Sequence, residues 1–253
     1  LPTGEVEVVA KALTVFSEAD PLPFQIDERA DVDEARRLKY RYLDLRRSRM
    51  AENLMGRSKA IAAMRHVMDS EGFLEVDTPT LIASTPEGAR DMLVPSRLRK
   101  GNFYALPQSP QLFKQLLMSG GVERYYQVAR CYRDEEFRAD RTVEFTQLDL
   151  EGSFWGQEDV LNTLEKIAAE VVKDVRGIDI PLPFERLTYE EAMDRFGTDK
   201  PDLRFGMELV DLGEVFAGSG FKAFSGALTD GGTVRGINGG KLGLARSGLD
   251  ALV

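Results

Sequence analysis

Arg133 and Glu135 stand two residues apart in the stretch from Tyr125 to Phe154, YYQVARCYRDEEFRADRTVEFTQLDLEGSF. Side chains two apart on a strand share a face, so a guanidinium and a carboxylate would point the same way. On the returning arm Gln147, Asp149 and Glu151 share a face by the same spacing, and Leu148 and Leu150 take the other. Between the arms, most positions from Asp134 to Arg141 are charged. An antiparallel pair of this kind has one apolar face and one lined by charged and amide groups. For an arbitrary pair of strands, a solvated face is the simpler account of such polarity. Here cations and anions are interleaved, which suits a ligand carrying both signs. An arginine is apt for phosphate or carboxylate, because its planar fork meets two oxygens and keeps its charge.

The neighbouring elements have to position this pair. Leu38 to Arg49 leads into a helix from about Ser48 to Ser70, with Leu54, Ile61, Met64, Val67 and Met68 at helical spacing. Gly72 ends it, and Phe73 to Thr78 alternates as a strand stopped by Pro79. Leu81 to Asp91, LIASTPEGARD, is a turn-rich loop in which Pro86 and Gly88 bracket Glu87. Phe103 to Leu106 is a short strand. Ser109 can N-cap a following helix with Pro110 in its first turn. In that helix Leu112, Phe113, Leu116 and Leu117 would face inward, with Gln111 and Lys114 on a neighbouring face. Taken alone, Lys114 reads as a solvated lysine.

Gln157 to Arg176 reads as an amphipathic helix that buries Val160, Leu161, Leu164, Ile167, Ala168, Val171 and Val175, with Gly177 as its cap. Leu187 to Phe196 is a shorter helix. At the start of the chain, Glu5 to Val8 and Leu13 to Phe16 alternate as one or two strands, too few to bury a core. Pro21, Pro23 and the acidic run from Asp27 to Glu34 read as a linker. After about Phe205 glycines cluster, but GGTVRGINGGKLG fits neither the P-loop nor the dinucleotide pattern.

Composition narrows the classes. The 253 residues suffice for one large domain, or a domain with an appendage. With 43% hydrophobic and 30% charged residues, the chain has the make-up of a soluble globular protein. No apolar run approaches the roughly 20 residues of a membrane helix, and LPTGEVEVV is no signal peptide. Cys131 is the single cysteine, which excludes an internal disulfide and suits a reducing, cytoplasmic setting. His66 is the single histidine, at a surface or interface position, so a zinc site is not expected. A net charge of −9 argues against a general nucleic-acid binder, although Arg36 to Arg49 and Arg97 to Lys100 offer local basic patches.

Arg133-Asp134-Glu135, then Arg138-Ala139-Asp140-Arg141, then Glu144-Phe145-Thr146-Gln147-Leu148-Asp149 resemble the second signature motif of class II aminoacyl-tRNA synthetases. The bacterial aspartyl branch is the nearest match. The helix–Gly–strand–Pro unit ending at Pro79 is similar to the family's first motif, which builds a homodimer interface. STPEGARD and QSPQLFKQ match stretches that border the amino-acid pocket in the aspartyl branch. The resemblance implies an α+β fold, a class II synthetase-like antiparallel sheet flanked by helices. It implies domains at 1–30 (the end of an anticodon-binding oligonucleotide barrel, with a linker), 31–205 (catalytic) and 206–253 (the start of an insertion domain). The chain would then be a fragment lacking the third motif, inactive by itself in adenylate formation.

The implied activity is aspartate–tRNA ligation, with ATP and Mg²⁺ as cofactors and no protein metal ligand in this stretch. Arg133 would be catalytic, gripping the α-phosphate and the substrate carboxylate. Asp134 and Glu135 would complete the ATP contacts, with Glu135 on the adenine amino group. Glu87, Asp149, Gln147 and Ser109 would hold and orient the aspartate ammonium, beside Gln111, and Lys114 would meet its side-chain carboxylate. Arg138, Asp140 and Arg141 would face the tRNA acceptor end. The implied partners are L-aspartate, tRNA(Asp) with tRNA(Asn) left open beside it, and a second copy of the chain, with no membrane. Thr142-Val143 departs from the family's usual Gln-Pro, so Thr142 is not expected to touch the nucleotide. Two other readings remain: an asparaginyl or lysyl relative, and a non-catalytic dimerising or RNA-binding module.

Overall fold

In a computed structural model, residues 4–85, 87–204, 206–241 and 243–251 are described. Pro86, the drawn boundary at Phe205 and the end of the chain at Val253 lie outside them. The chain divides into two compact units, Leu1–Pro183 and Phe184–Val253. The first holds α1 (Glu34–Lys39), α2 (Arg41–Asp44), α3 (Ser48–Ser70), β1 (Leu74–Glu75), β2 (Leu93–Pro95), β3 (Phe103–Ala105), α4 (Gln111–Ser119), β4 (Arg124–Tyr132), β5 (Glu144–Gly152) and α5 (Gln157–Arg176). No helix of the described residues is long and apolar enough to cross a membrane.

β4 is the hub of the principal sheet, pairing in parallel with β1 and antiparallel with β5. Leu148 and Leu150 of β5 and Tyr126 of β4 turn to one face. There they pack with Val67 and Met68 of α3, Ile167 and Val171 of α5, Phe73 and Trp155. Trp155 returns under the end of β5 and meets Phe73 edge-on at 5.3 Å. Only a glycine permits that return, because a Cβ on Gly152 would lie 2.4 Å from the indole. Gly177 ends α5 in the left-handed conformation (φ 68°), which L side chains rarely adopt.

Several expectations are corrected. Residues 5–16 form no strand and are exposed, since no neighbouring strand offers them a ladder. The lead-in to α3 holds two short helices, α1 and α2, the first starting at Glu34 within the expected linker. Three arginines of the expected basic patch from Arg36 to Arg49 are not free, because Arg37, Arg41 and Arg47 converge on the fully buried Asp44, at 3.0, 2.8 and 3.7 Å. Pro110, not Ser109, occupies the cap of α4, and Ser109 Oγ accepts the Gln111 N–H from just outside. In α4 the buried side chain is Lys114, while Leu112 and Leu116 are exposed, because the helix lies on the polar side of the sheet. Leu54 of α3 and Val160 and Leu164 of α5 are likewise exposed.

The second unit holds α6 (Tyr189–Phe196), β6 (Leu209–Asp211), α7 (Gly213–Phe216), α8 (Lys222–Thr229), β7 (Arg235–Ile237) and α9 (Arg246–Asp250). α6 begins at a capping box between Thr188 and Glu191, two residues after the expected start. β7 runs through the glycine-rich segment and pairs antiparallel with β6. Part of that segment is thus the second strand of a small antiparallel pair, reached through α7 and α8.

Gly152→Ala should lower stability by about 1–3 kcal/mol through overpacking against Trp155. Urea titration followed by the fluorescence of this single tryptophan reads it, and an unchanged midpoint contradicts the packing. The Arg37 guanidinium, with Arg41 and Arg47, holds the Asp44 carboxyl below its ordinary 3.8. A depressed folded value adds stability above the unfolded pKa and loses it as pH falls through the folded one. The advantage over Asp44→Asn should therefore be flat down to about pH 4 and shrink below it. An advantage that grew on acidification would have the wrong sign.

Candidate active site

Partners across an antiparallel ladder share a face, so Tyr125 lies beside Glu151, Gln127 beside Asp149, Ala129 beside Gln147 and Cys131 beside Phe145. This is the face turned away from the apolar core. Lys114 reaches it from α4, 2.9 Å from Asp149 Oδ1 and 3.1 Å from Glu151 Oε2. Lys114 is 8% exposed and Asp149 5%. Burial pulls the Lys114 ammonium down, but Asp149 and Glu151 outweigh it and leave its pKa above the usual value. Burial pushes the Asp149 carboxyl up; Lys114 draws it back and Glu151 adds to the rise.

Asp149 Oδ2 is buried with no hydrogen-bond partner among the described residues. The Tyr125 hydroxyl lies 3.0 Å from Gln127 Oε1, which also accepts from Thr78 Oγ1 at 2.9 Å, and the same hydroxyl faces the Asp149 carboxyl and helps to lower its pKa against the rise from burial.

Arg133 and Glu135 follow β4 instead of lying within it. The ladder is carried one step further by the Arg133 N–H, which donates to the Val143 carbonyl at 2.9 Å. The strand parity nevertheless holds. Arg133 lies over the Phe145 ring at 5.1 Å. It lines an open cavity of about 460 Å³ with Glu135, Asp140, Arg141, Thr142 and Phe145. Its Nε is buried and unpartnered among the described residues. Glu135 stands 3.9 Å from Arg141. Asp134 is exposed, and its N–H donates to the Arg90 carbonyl at 3.0 Å. The tip of the loop is closed by paired backbone bonds between Arg138 and Arg141, and both side chains are exposed with that of Asp140. Thr142 donates to the Glu144 carbonyl at 2.8 Å, so its short side chain is already engaged.

Glu87 accepts from Ser109 Oγ at 2.7 Å. Gln111 is exposed in the first turn of α4. Gln147 accepts from the buried Cys131 thiol at 3.6 Å. That thiol marks where the two clusters meet. Burial pushes it up to about 11, with Arg133 pulling it down and Asp149 and Glu87 raising it further. The charges of Arg133, Asp149 and Glu87 are all felt at that thiol. No group of three or more His, Cys, Asp or Glu among the described residues could hold a metal.

Sequence reasoning passed over Phe145, Tyr125, Gln127 and Gln108. The first three have the strand parity of residues it named, which was a usable signal. Gln108 opens the QSPQLFKQ stretch, but no periodicity distinguished it there. Chemically, the face offers an acceptor for a cation at Asp149, a donor for an anion at Arg133 and a second cation at Lys114.

The family model for class II tRNA synthetases (D, K and N) matches residues 33–235. The aspartate–tRNA(Asp/Asn) ligase of Caldanaerobacter subterraneus subsp. tengcongensis is 57% identical over 254 aligned positions, covering all of this chain and 43% of that protein. The aspartate–tRNA ligase of Lysinibacillus sphaericus is 58% identical over 238, covering 94% of this chain and 40% of its own length. A crystal structure of a Leishmania major Friedlin protein assigned as an aspartyl-tRNA synthetase superposes with a TM-score of 0.55 at 25% identity, over 62% of this chain and 31% of that one. The chain spans less than half the length of the curated relatives it matches.

Lys114→Ala should destabilise the fold by about 3–5 kcal/mol, because it leaves Asp149 buried without its cation. Adding Asp149→Ala should return part of that loss. Additive losses in denaturant titrations would mean that the two side chains do not depend on each other.

Proposed function

This chain belongs to the class II tRNA synthetases of the aspartate, lysine and asparagine group, and from that premise we propose that it is part of an aspartate–tRNA ligase. The observation carrying this reading is the pairing of two orphaned buried atoms of opposite character, Asp149 Oδ2 and Arg133 Nε, on one sheet face. An α-amino acid is a zwitterion, with an ammonium for the first and a carboxylate for the second. In the proposed roles Asp149, Glu87, Gln147 and Ser109 take the ammonium, with Gln111 beside them. Arg133 spans the α-carboxylate and the α-phosphate of ATP. Glu135 accepts from the adenine amino group, with Asp134 alongside.

Selection of aspartate follows from the ion pair. Lys114 spends its charge on Asp149 and Glu151 while the pocket is free. When aspartate enters, its ammonium can take over Asp149 and its side-chain carboxylate can take Lys114. The protein ion pair is exchanged for two protein–ligand pairs, and no charge is left buried alone. Asparagine brings an amide in place of the second carboxylate and would leave the ammonium uncompensated.

In the reaction an α-carboxylate oxygen of aspartate attacks the α-phosphorus of ATP. An oxygen–phosphorus bond forms, and the bond to pyrophosphate breaks. The tRNA terminal ribose hydroxyl then attacks the acyl carbon, gives up its proton, and AMP leaves. Arg133 contributes by holding the two anionic reactants together and meeting the charge on the transferring phosphoryl group. Mg²⁺ would arrive on the nucleotide. Arg138, Asp140 and Arg141, exposed at the loop tip, are proposed to meet the acceptor end of tRNA(Asp). The dual-substrate naming of relatives supports tRNA(Asn) as a second acceptor. A homodimer is proposed as well, supported by the exposed Leu74, Leu93 and Phe103 on β1 to β3. The domain boundaries at 30–31 and 205–206 and a cytoplasmic location complete the proposal.

The test is aspartate-dependent ATP–pyrophosphate exchange by the full-length protein. Arg133→Ala should reduce it by about 10²–10³-fold, as loss of one preorganised charged donor commonly does. Exchange near the wild-type rate in that variant would remove Arg133 from the mechanism. No exchange in the wild type would remove the ligase reading.

A further inference from the structure

Gln108 is 1% exposed and immediately precedes Ser109. Its amide grips the backbone of the preceding loop from both sides. Oε1 accepts from the Ala89 N–H at 3.1 Å, and Nε2 donates to the Ala89 carbonyl at 2.9 Å. Nε2 also donates to Asp91 Oδ1, while Asp91 Oδ2 accepts from the Ser84 hydroxyl. These bonds, with Ser84 first, hold the Asp91 carboxyl below its ordinary range, so it is an ionised acceptor at neutral pH. The residue next along the chain, Ser109, holds Glu87. One dipeptide therefore fixes both the side chain of Glu87 and the backbone two residues after it. The adjacent Arg90 carbonyl accepts from the Asp134 N–H, which ties the same stretch to the segment carrying Arg133 and Glu135.

We propose that Gln108 is a positioning residue: by clamping Ala89 and Asp91 it sets Glu87 over the amino-acid pocket. It touches no reacting atom and acts through Glu87. A neutral side chain with both a donor and an acceptor is required, because it must satisfy an N–H, a carbonyl and a carboxylate at once. A carboxylate in its place keeps the Ala89 N–H but faces both the Ala89 carbonyl and the Asp91 anion. The proposal rests on the aspartate-activating reading of the site.

The experiment compares the full-length wild type with Gln108→Ala, Gln108→Glu and the double variant Gln108→Glu/Asp91→Asn. Aspartate-dependent ATP–pyrophosphate exchange gives KM for each substrate, and hydrogen exchange follows the Ala89 amide. Gln108→Ala and Gln108→Glu should raise KM for aspartate about tenfold, the scale of one or two lost hydrogen bonds, with KM for ATP little changed. Asp91→Asn should recover part of the loss in the Gln108→Glu background, because an amide donor then meets the introduced carboxylate while the Ala89 carbonyl still lacks its donor. A general loss of folding would lower kcat and disturb both substrates alike, and Asp91→Asn would not reverse it. An unchanged aspartate KM in both single variants, or no recovery in the double variant, overturns the proposal. If the wild type shows no aspartate-dependent exchange, the ligase reading falls, and the Ala89 amide alone decides the clamp. Protection lost in Gln108→Ala supports it, and equal protection in both proteins overturns it.

Discussion

The first unit depends on keeping Lys114 and Asp149 buried against each other. Taking an ion out of water costs several kcal/mol, and the mutual attraction repays this only with good geometry and further partners. α4 must therefore lie on the polar face of the sheet, with Lys114 inward and Leu112 and Leu116 toward solvent. β5 must present Asp149 and Glu151 together, which sends Leu148 and Leu150 to the opposite face under α3 and α5. A one-residue slip of β5 against β4 would bury carboxylates in the core and expose leucines, so the ion pair and the core enforce one register.

The same face is left unfinished where a ligand would act. Gln127 Oε1 accepts from Thr78 and Tyr125, and Asp149 Oδ2 beside them is buried with no hydrogen-bond partner among the described residues. Phe145 supports the Arg133 guanidinium from below without satisfying its Nε. A buried polar atom without a partner is destabilising, commonly by about 1–3 kcal/mol. Two of them on one face, held by rigid neighbours, make that face preorganised for groups of opposite sign, which a folded core alone would not require.

Much of this was legible in the strand pair because period-2 spacing is a strong constraint. Gln147, Asp149 and Glu151 could only share a face, and Arg133 kept its side even beyond the end of β4. The amphipathic span of α5 and the limits of α3 were readable for a similar reason. What sequence could not supply was which helix face the sheet would cover. Apolar content alone put Leu112 and Leu116 of α4 inside and left Lys114 solvated, whereas the carboxylates across the sheet decide the opposite. The Arg37–Asp44 cluster and the Gln108 clamp were hidden because they join segments whose meeting has no periodic signature. Early alternation near Glu5 to Phe16 misled in the other direction, since a strand pattern becomes a strand only beside a partner.

Charge balance sets a boundary on what this cluster can do unaided. Lys114, Arg133 and Arg141 stand among Glu87, Glu135, Asp140, Asp149 and Glu151, so the anions already outnumber the cations. Aspartate, under the ligase reading, brings an ammonium to such a site along with its carboxylates. A nucleoside triphosphate brings only further negative charge, and in a partly enclosed site each uncompensated anion is costly. Under the ligase reading, Arg133 can grip one phosphate, but the remaining charge calls for Mg²⁺ on the nucleotide and for cations beyond this cluster. Under the same reading the cluster offers groups of both signs to an amino acid and a single anchor, Arg133, to a phosphate.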